Sequence, residues 1–212
     1  MVTFHDWLLF AGAALLVTLT PGPNMIYLLS RSICQGRRAG VVSLLGVVAG
    51  FLVHMFAAAV GLSALFMAVP LAYDLLKWGG ALYLLYLAWQ AVRPGAKSPF
   101  ETRDLPEDPP LRLFLMGFLT NLLNPKIAVF YLAIFPQFVS PAQGSVFAQS
   151  VVLGVTQIVL SFSINLSIVL TAARLAAWFQ HHRGWLAVQR YVMGGVLGAL
   201  AVRMALEERR VA

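Results

Sequence analysis

Apolar residues fall into six long runs along the chain, and the short segments between the runs carry most of the charge. A helix needs about 20 mainly apolar residues to cross the hydrocarbon core of a bilayer, and these runs approach or exceed that length. The pattern therefore predicts an all-α integral membrane protein with six membrane-spanning helices. Their predicted bounds are Phe4–Leu29, Gly40–Ser63, Leu71–Val92, Leu111–Phe138, Val146–Ala173 and Tyr191–Leu206.

Proline motifs interrupt the first and fourth runs. The first motif is Thr20-Pro21-Gly22-Pro23-Asn24, and the second is Asn124-Pro125-Lys126. Proline removes a backbone donor and clashes with the preceding turn, so the first helix is expected to end near Leu19. Threonine and asparagine cap helix N-termini well, and proline fits the first helical position. The sequence therefore predicts that new half-helices begin at Pro21, capped by Thr20, and at Pro125, capped by Asn124.

A segment rich in proline and charged residues separates the third run from the fourth. It predicts an aqueous linker at 93–110 between two three-helix units, 1–92 and 111–212. Because each unit has an odd number of spans, the second enters the membrane in the opposite orientation, which makes the two units inverted repeats. Placing Pro23 over Pro125 also brings two further pairs of identical residues into register, Thr18 with Thr120 and Gln35 with Gln137. Two unrelated three-helix pieces remain the alternative.

Composition supports the membrane assignment. Hydrophobic residues make up 60% of the 212 residues, charged residues only 11%, and the mean hydropathy is +0.81, which leaves too few polar groups to cover a soluble domain. The net charge of +7 arises in short loops, so nucleic acid is not an expected partner. Lys and Arg concentrate in alternate loops, and the positive-inside rule then places both termini outside the cytoplasm. Arg203, Arg209 and Arg210, near the C-terminus, oppose that orientation.

Several motifs are missing from the sequence. Cys34 is the only cysteine, so neither a disulfide nor a zinc site is expected, and the N-terminus lacks the basic region of a cleaved signal peptide. The spans hold no cluster of Asp and Glu for a hard cation, and the chain has no HExxH or GxSxG motif. We therefore predict a transporter that is not an enzyme and has no cofactor or resident metal.

The two proline motifs are the predicted substrate site. Paired helix breaks in the two halves of a membrane chain are a sequence indication of a transporter site, since half-helix N-termini attract anions. Lys126 lies inside an apolar run, where a charge is costly and is by default functional. We expect Lys126 and the half-helix N-termini to bind a carboxylate, and Asn24 or Asn121 to bind an ammonium, in an alternating-access cycle. The predicted site residues are Thr20, Pro21, Gly22, Pro23, Asn24, Asn121, Asn124, Pro125 and Lys126. The alternatives are that Lys126 reaches the membrane interface and that the asparagines only cap helices.

Other polar residues within the spans have less specific interpretations. His54 lies in the middle of the second span, and because imidazole titrates near physiological pH it is the predicted proton-coupling residue. A neutral histidine bonded to another helix is the alternative. Asp74 and Lys77 are expected to form an interfacial ion pair, and Gln157 and Asn165 to link helices.

The chain resembles the LysE/RhtB family of amino-acid exporters in three ordered blocks. The first contains Thr20-Pro-Gly-Pro-Asn24, Gly36-Arg-Arg-Ala-Gly40 and the segment from His54 to Leu62; the later blocks are Lys77-Trp-Gly-Gly-Ala-Leu-Tyr-Leu-Leu-Tyr86 and Gly117-Phe-Leu-Thr-Asn-Leu-Leu-Asn-Pro-Lys126 through Phe138. The blocks span nearly the whole chain, and the proline motif with Asn24 looks closer to the threonine and homoserine branch than to the lysine and arginine branch.

The resemblance implies a secondary transporter in the inner (cytoplasmic) membrane of a bacterium, exporting amino acids by proton antiport. Its expected partners are an amino acid, protons, membrane lipid and a further copy of the chain in a homo-oligomer. Export of another small solute or cation, or a non-transport membrane scaffold, are the alternative functions.

Overall fold

The computed structural model describes residues 2–68 and 107–181, together with single positions at 78, 82, 85, 86, 89, 93, 191, 195, 198, 199, 201 and 202. Every regular element within these residues is helical. Apart from those single positions, the third and sixth predicted spans lie outside the described residues. The pair Asp74 and Lys77 and nearly all of the predicted linker lie outside them too.

The described ranges contain six α-helices. They are α1 (Phe4–Leu19), α2 (Pro23–Cys34), α3 (Gly36–Ala68), α4 (Pro110–Leu122), α5 (Pro125–Val129) and α6 (Val146–His181). A π-helical segment, Phe130–Ile134, and a 3₁₀ turn, Phe135–Phe138, continue α5, and a further 3₁₀ turn covers Pro141–Gln143. The predicted runs at 40–63 and 146–173 are helical, and their helices extend beyond the predicted bounds.

Four parts of the described chain are long and apolar enough to cross a membrane. Two are the single helices α3 and α6, through their segments Gly36–Gly61 and Val146–Ala172. The other two are bent pairs: α1 meets α2 at 52°, and α4 meets the Pro125–Phe138 segment at 45°. Both predicted breaks are therefore present, and a multi-pass membrane protein follows.

The prediction that a half-helix begins at Pro21 with Thr20 as its N-cap is wrong. Helix α1 ends at Leu19 as expected, but Thr20 is its C-cap, and α2 begins at Pro23 with Gly22 at the N-cap. A residue that precedes proline is excluded from the helical region of backbone space. Gly22 precedes Pro23 and is accordingly extended (φ −164°, ψ −177°), so no helix can run through it from Pro21.

The second break has the predicted form. Asn124 is the N-cap of α5, Pro125 takes the first helical position, and the Asn124 side-chain oxygen accepts a hydrogen bond of 3.0 Å from the Lys126 backbone N–H. Only one proline follows the N-cap residue at this break. No residue inside the start of α5 precedes a second proline, so none is forced into an extended conformation as Gly22 is before Pro23.

Helices α3 and α4 pack with their backbones in close contact. A Cβ at Gly46 would collide with the carbonyl oxygen of Phe114, and a Cβ at Gly117 would collide with the carbonyl oxygen of Ser43. Glycine at both positions is therefore a requirement of the packing, in keeping with the role of small residues between membrane helices. Gly36, with φ of 84°, makes the sharp joint between α2 and α3 in a backbone region that favours glycine.

An aromatic cluster joins α1 to the segment that follows α5. The Phe10 ring lies 5.7 Å from that of Phe130 and 5.4 Å from those of Phe135 and Phe138, and all four side chains are buried. This packing holds α1, the first helix of one bent pair, against residues 130–138 in the second half of the other pair. It brings the two helix breaks close together.

A charged cluster ties α2 to the start of α4. Arg31 forms an ion pair with Asp108, and Arg112 bonds the same carboxylate at 3.1 Å. Gln35 both donates to the Asp108 carboxylate and accepts from its backbone N–H, each at 3.1 Å. The contact joins residues of the first unit to the end of the predicted linker.

Candidate functional site

The Lys126 ammonium binds the C-terminal end of α1. Its Nζ donates hydrogen bonds to the carbonyl oxygens of Thr20, at 2.7 Å, and Val17, at 3.1 Å, and the residue is only 6% exposed. The last carbonyls of a helix have no partners inside it and carry the negative end of its dipole, so they suit a cation. Lys126 is therefore directed into the protein interior, where both of its hydrogen-bond acceptors belong to α1 and its C-cap.

Gly22 allows this approach. A Cβ at Gly22 would lie 3.0 Å from the Lys126 Nζ and 3.1 Å from its Cε, tighter than a normal contact. The glycine between the two prolines of the first motif therefore makes room for the lysine of the second.

The two motifs are also joined by a hydrogen bond between asparagines. The Asn124 Nδ2 donates to the Asn24 Oδ1 at 3.1 Å, and both side chains are buried. Because the Asn124 Oδ1 also caps α5, Asn124 both caps a helix and links the two breaks. Of the predicted site residues, Thr20, Gly22, Asn24, Asn124 and Lys126 contact one another. The prolines at 21, 23 and 125 shape the backbone that carries them.

A small, partly open cavity of about 20 Å³ lies beside these residues. Its polar lining consists of Thr18, Asn24, Lys126, Gln157, Ser161 and Asn165. A single water needs about 10–15 Å³ of such space, so the cavity is far too small for an amino acid. In the described conformation the site is closed around its own lysine.

A chain of hydrogen bonds forms part of this lining and was not predicted from the sequence. The Tyr131 hydroxyl donates to the Gln157 Oε1 at 2.7 Å, the Gln157 Nε2 donates to the Ser161 Oγ at 2.8 Å, and the Ser161 and Thr18 hydroxyls are 2.8 Å apart. Gln157, which we had expected only to link helices, thus also faces the cavity, as does Asn165.

Asn121 and His54 lie together at the contact between α3 and α4. The His54 Nε2 is 3.3 Å from the Asn121 carbonyl oxygen, and the His54 ring stacks on the Tyr131 ring with centroids 5.6 Å apart. The Asn121 side chain is fully buried against Gly50, and its amide nitrogen and oxygen have no hydrogen-bond partner among the described residues. Neither residue is in the described lining of the cavity. The Asn121 carbonyl oxygen nevertheless contacts the second motif, because it accepts a 3.0 Å hydrogen bond from the Asn124 backbone N–H.

The described lining of the cavity carries polar groups that suit a zwitterion. Lys126 is the only charged side chain in its described lining. Within the described part of the chain, no group of three His, Cys, Asp or Glu side chains is placed to hold a metal. One lysine, two helix-end carbonyls and several neutral amides and hydroxyls can bind a carboxylate, an ammonium and a polar side chain.

Comparisons with known proteins identify a family and several relatives that this chain resembles. A family model for the LysE type translocator matches residues 15–208. The chain is 36% identical over 179 residues to a homoserine/homoserine lactone efflux protein of Salmonella typhimurium, covering 84% of this chain and 86% of the relative. It is 35% identical, with the same coverage, to the protein of that name from Salmonella typhi. An uncharacterized membrane protein of Vibrio cholerae is 31% identical over 176 residues, 83% of this chain and 85% of the relative. No solved structure matches the chain.

Proposed function

The chain belongs to the LysE type translocator family and is an amino-acid exporter, not an enzyme, and we propose that it exports homoserine by alternating access at the two helix breaks. The relatives named for homoserine efflux motivate the choice of substrate. The family assignment favours transport over the scaffold considered above.

The observation that carries the proposal is the pair of hydrogen bonds from Lys126 to the carbonyls of Val17 and Thr20. These carbonyls already bind an ammonium, so they are suited to the ammonium of a substrate that displaces the lysine. The displaced Lys126, with three N–H donors, is then available to the substrate's carboxylate, beside the N-terminus of α5. The carbonyls thus replace Asn121, which lies away from the cavity, as the proposed ammonium site, with Asn24 beside them.

Closure around Lys126 supports alternating access. A cavity of about 20 Å³ leaves no room for substrate, so the helices must separate for an amino acid to enter. We propose that the two units are inverted repeats of three spans, in the inner membrane, with both termini outside. Separation on one side of the breaks and then on the other would expose the site to each compartment in turn.

Counterflow in proteoliposomes tests the proposed substrate. Vesicles that contain the purified chain and unlabelled homoserine are expected to accumulate labelled homoserine from outside. Uptake of lysine and arginine should be lower, because no described acidic side chain lines the cavity to pair with a second cation. The homoserine proposal is wrong if vesicles that exchange another amino acid fail to exchange homoserine.

We propose proton antiport through His54, which leads to a separate expectation. His54→Gln should abolish the stimulation of homoserine export by an opposing proton gradient and retain exchange at equal pH, since exchange needs no net proton movement. His5, an exposed histidine at the start of α1, provides the matched control in His5→Gln. Stimulation of His54→Gln to the level of the unmodified protein would remove His54 from the coupling mechanism.

A further inference from the structure

The Thr18 and Ser161 hydroxyls lie at the end of a hydrogen-bond chain that has a fixed direction. Tyr131 has one hydroxyl proton, which it donates to the Gln157 oxygen; the Gln157 amide nitrogen can only donate, and it donates to Ser161. The remaining bond joins Ser161 to Thr18, and either hydroxyl can be its donor. Two hydroxyl protons are therefore present at this pair, and the bond between them uses one.

Because both residues line the cavity, the second proton can be donated to a group that enters the cavity. Gln157, Ser161 and Asn165 are buried at successive i, i+4 positions of α6, so they form one polar stripe along the helix. Asn165 donates to the Ser161 backbone carbonyl at 2.7 Å, which further fixes the stripe. The hydroxyl pair is thus held in position by neighbours on α6 and by Tyr131.

This chain of hydrogen bonds is suited to holding the hydroxyl pair in position and not to conducting protons. A neutral amide in its middle, at Gln157, donates through nitrogen and accepts through oxygen, and it does not pass a proton from one atom to the other. The fixed hydroxyl pair instead offers a donor and acceptor lone pairs to a group that enters the cavity.

We propose that the Thr18 and Ser161 hydroxyls bind the side-chain hydroxyl of the transported amino acid and so select homoserine over analogues that lack it. This inference rests on the proposed function and assigns the side-chain part of the same site. Lys126 and the α1 carbonyls engage groups common to all amino acids, so they cannot make this selection. A site built to hydrogen-bond a substrate hydroxyl discriminates strongly against an analogue without one, because its own polar groups are left unpaired.

The test compares homoserine with 2-aminobutyrate, which has the same carbon skeleton and no hydroxyl. Each is offered as a competitor of labelled homoserine in counterflow. The unmodified protein is expected to prefer homoserine by about tenfold or more. In Thr18→Val, which keeps the side-chain shape, and in Ser161→Ala, the preference should fall towards one. Homoserine should bind more weakly, and 2-aminobutyrate should bind as well as before or better, because fewer polar groups of the site are left unpaired.

Two exposed residues of α6 provide matched controls. In the part of the chain that the structure describes, the Thr171 and Ser163 hydroxyls hydrogen-bond to carbonyls of their own helix. Neither residue lines the described cavity, so Thr171→Val and Ser163→Ala should keep the preference of the unmodified protein. If Thr18→Val is not recovered as folded protein, Ser161→Ala alone decides.

The outcomes separate this inference from the proposed function. Absence of homoserine exchange in the unmodified protein would overturn the proposed function. Homoserine exchange with no preference over 2-aminobutyrate, or with a preference that both variants retain, would overturn the role of the hydroxyl pair and leave the proposed function intact.

Discussion

Lys126→Met is expected to reduce homoserine counterflow by about a hundredfold or more per folded molecule. Methionine has a similar length and no charge, so the change removes the ammonium that binds the carbonyls of Val17 and Thr20 in the closed state. It also removes the proposed partner of the substrate carboxylate. Loss of a buried, hydrogen-bonded charge partner costs about 2–5 kcal/mol, which corresponds to an effect of this size. The measurement is the initial rate of counterflow in proteoliposomes with matched protein content.

The control for Lys126→Met is Ile127→Met at the next position. Ile127 is buried and lines the same cavity, and exchange of one apolar side chain for another of similar volume usually costs less than about 1.5 kcal/mol. Ile127→Met should therefore retain most of the counterflow rate. A folded Lys126→Met protein with the rate of the unmodified protein would exclude Lys126 from substrate binding.

Gly117→Ala is expected to prevent stable folding of the protein. The added methyl group would collide with the Ser43 carbonyl oxygen, which belongs to the backbone of α3 and cannot rotate away. The two helices would have to separate, and that would also disturb the reciprocal contact of Gly46 with Phe114. Overpacking commonly costs about 1–3 kcal/mol, and a backbone obstacle places this change at or above the upper end. The yield of monodisperse protein and its Tm in detergent are the readouts.

Gly12→Ala is the matched control for the glycine prediction. Gly12 is an exposed position of α1, and a Cβ there would meet nothing within 4 Å. Alanine favours a helix over glycine by about 1 kcal/mol, so this variant should be as stable as the unmodified protein or slightly more stable. Equal Tm values for Gly117→Ala and the unmodified protein would contradict the close packing of α3 and α4.

The sequence predicted the helix breaks because proline acts through local geometry. The ends of α1 and α4 and the start of α5 at Pro125 follow from missing donors and capping preferences, which need no tertiary information. The start of α2 was misplaced although the information was local too. The extended backbone that Pro23 imposes on Gly22 excludes a helix beginning at Pro21.

Contacts between distant parts of the chain were only partly predictable. The burial cost of a charge identified Lys126, but the carbonyl oxygens it binds have no signature in sequence, because every residue has one. Thr18 and Ser161 were missed since single hydroxyl residues in apolar helices usually bond to their own helix. One signal was available: Gln157, Ser161 and Asn165 recur every four residues, which places them on one helix face.

The central claim is that the two helix breaks form the substrate site. Its most direct test is whether substrate protects a cysteine in the cavity from maleimide labelling. Met25 lines the cavity, so Met25→Cys, made together with Cys34→Ser, introduces a single thiol there. The unmodified protein, with Cys34 outside the cavity lining, is the control. Homoserine is expected to slow maleimide labelling of Cys at position 25, with half-maximal protection at the concentration that half-saturates counterflow, and to leave Cys34 labelling unchanged. Labelling at position 25 that saturating homoserine does not alter, in protein that exchanges homoserine, would contradict the claim.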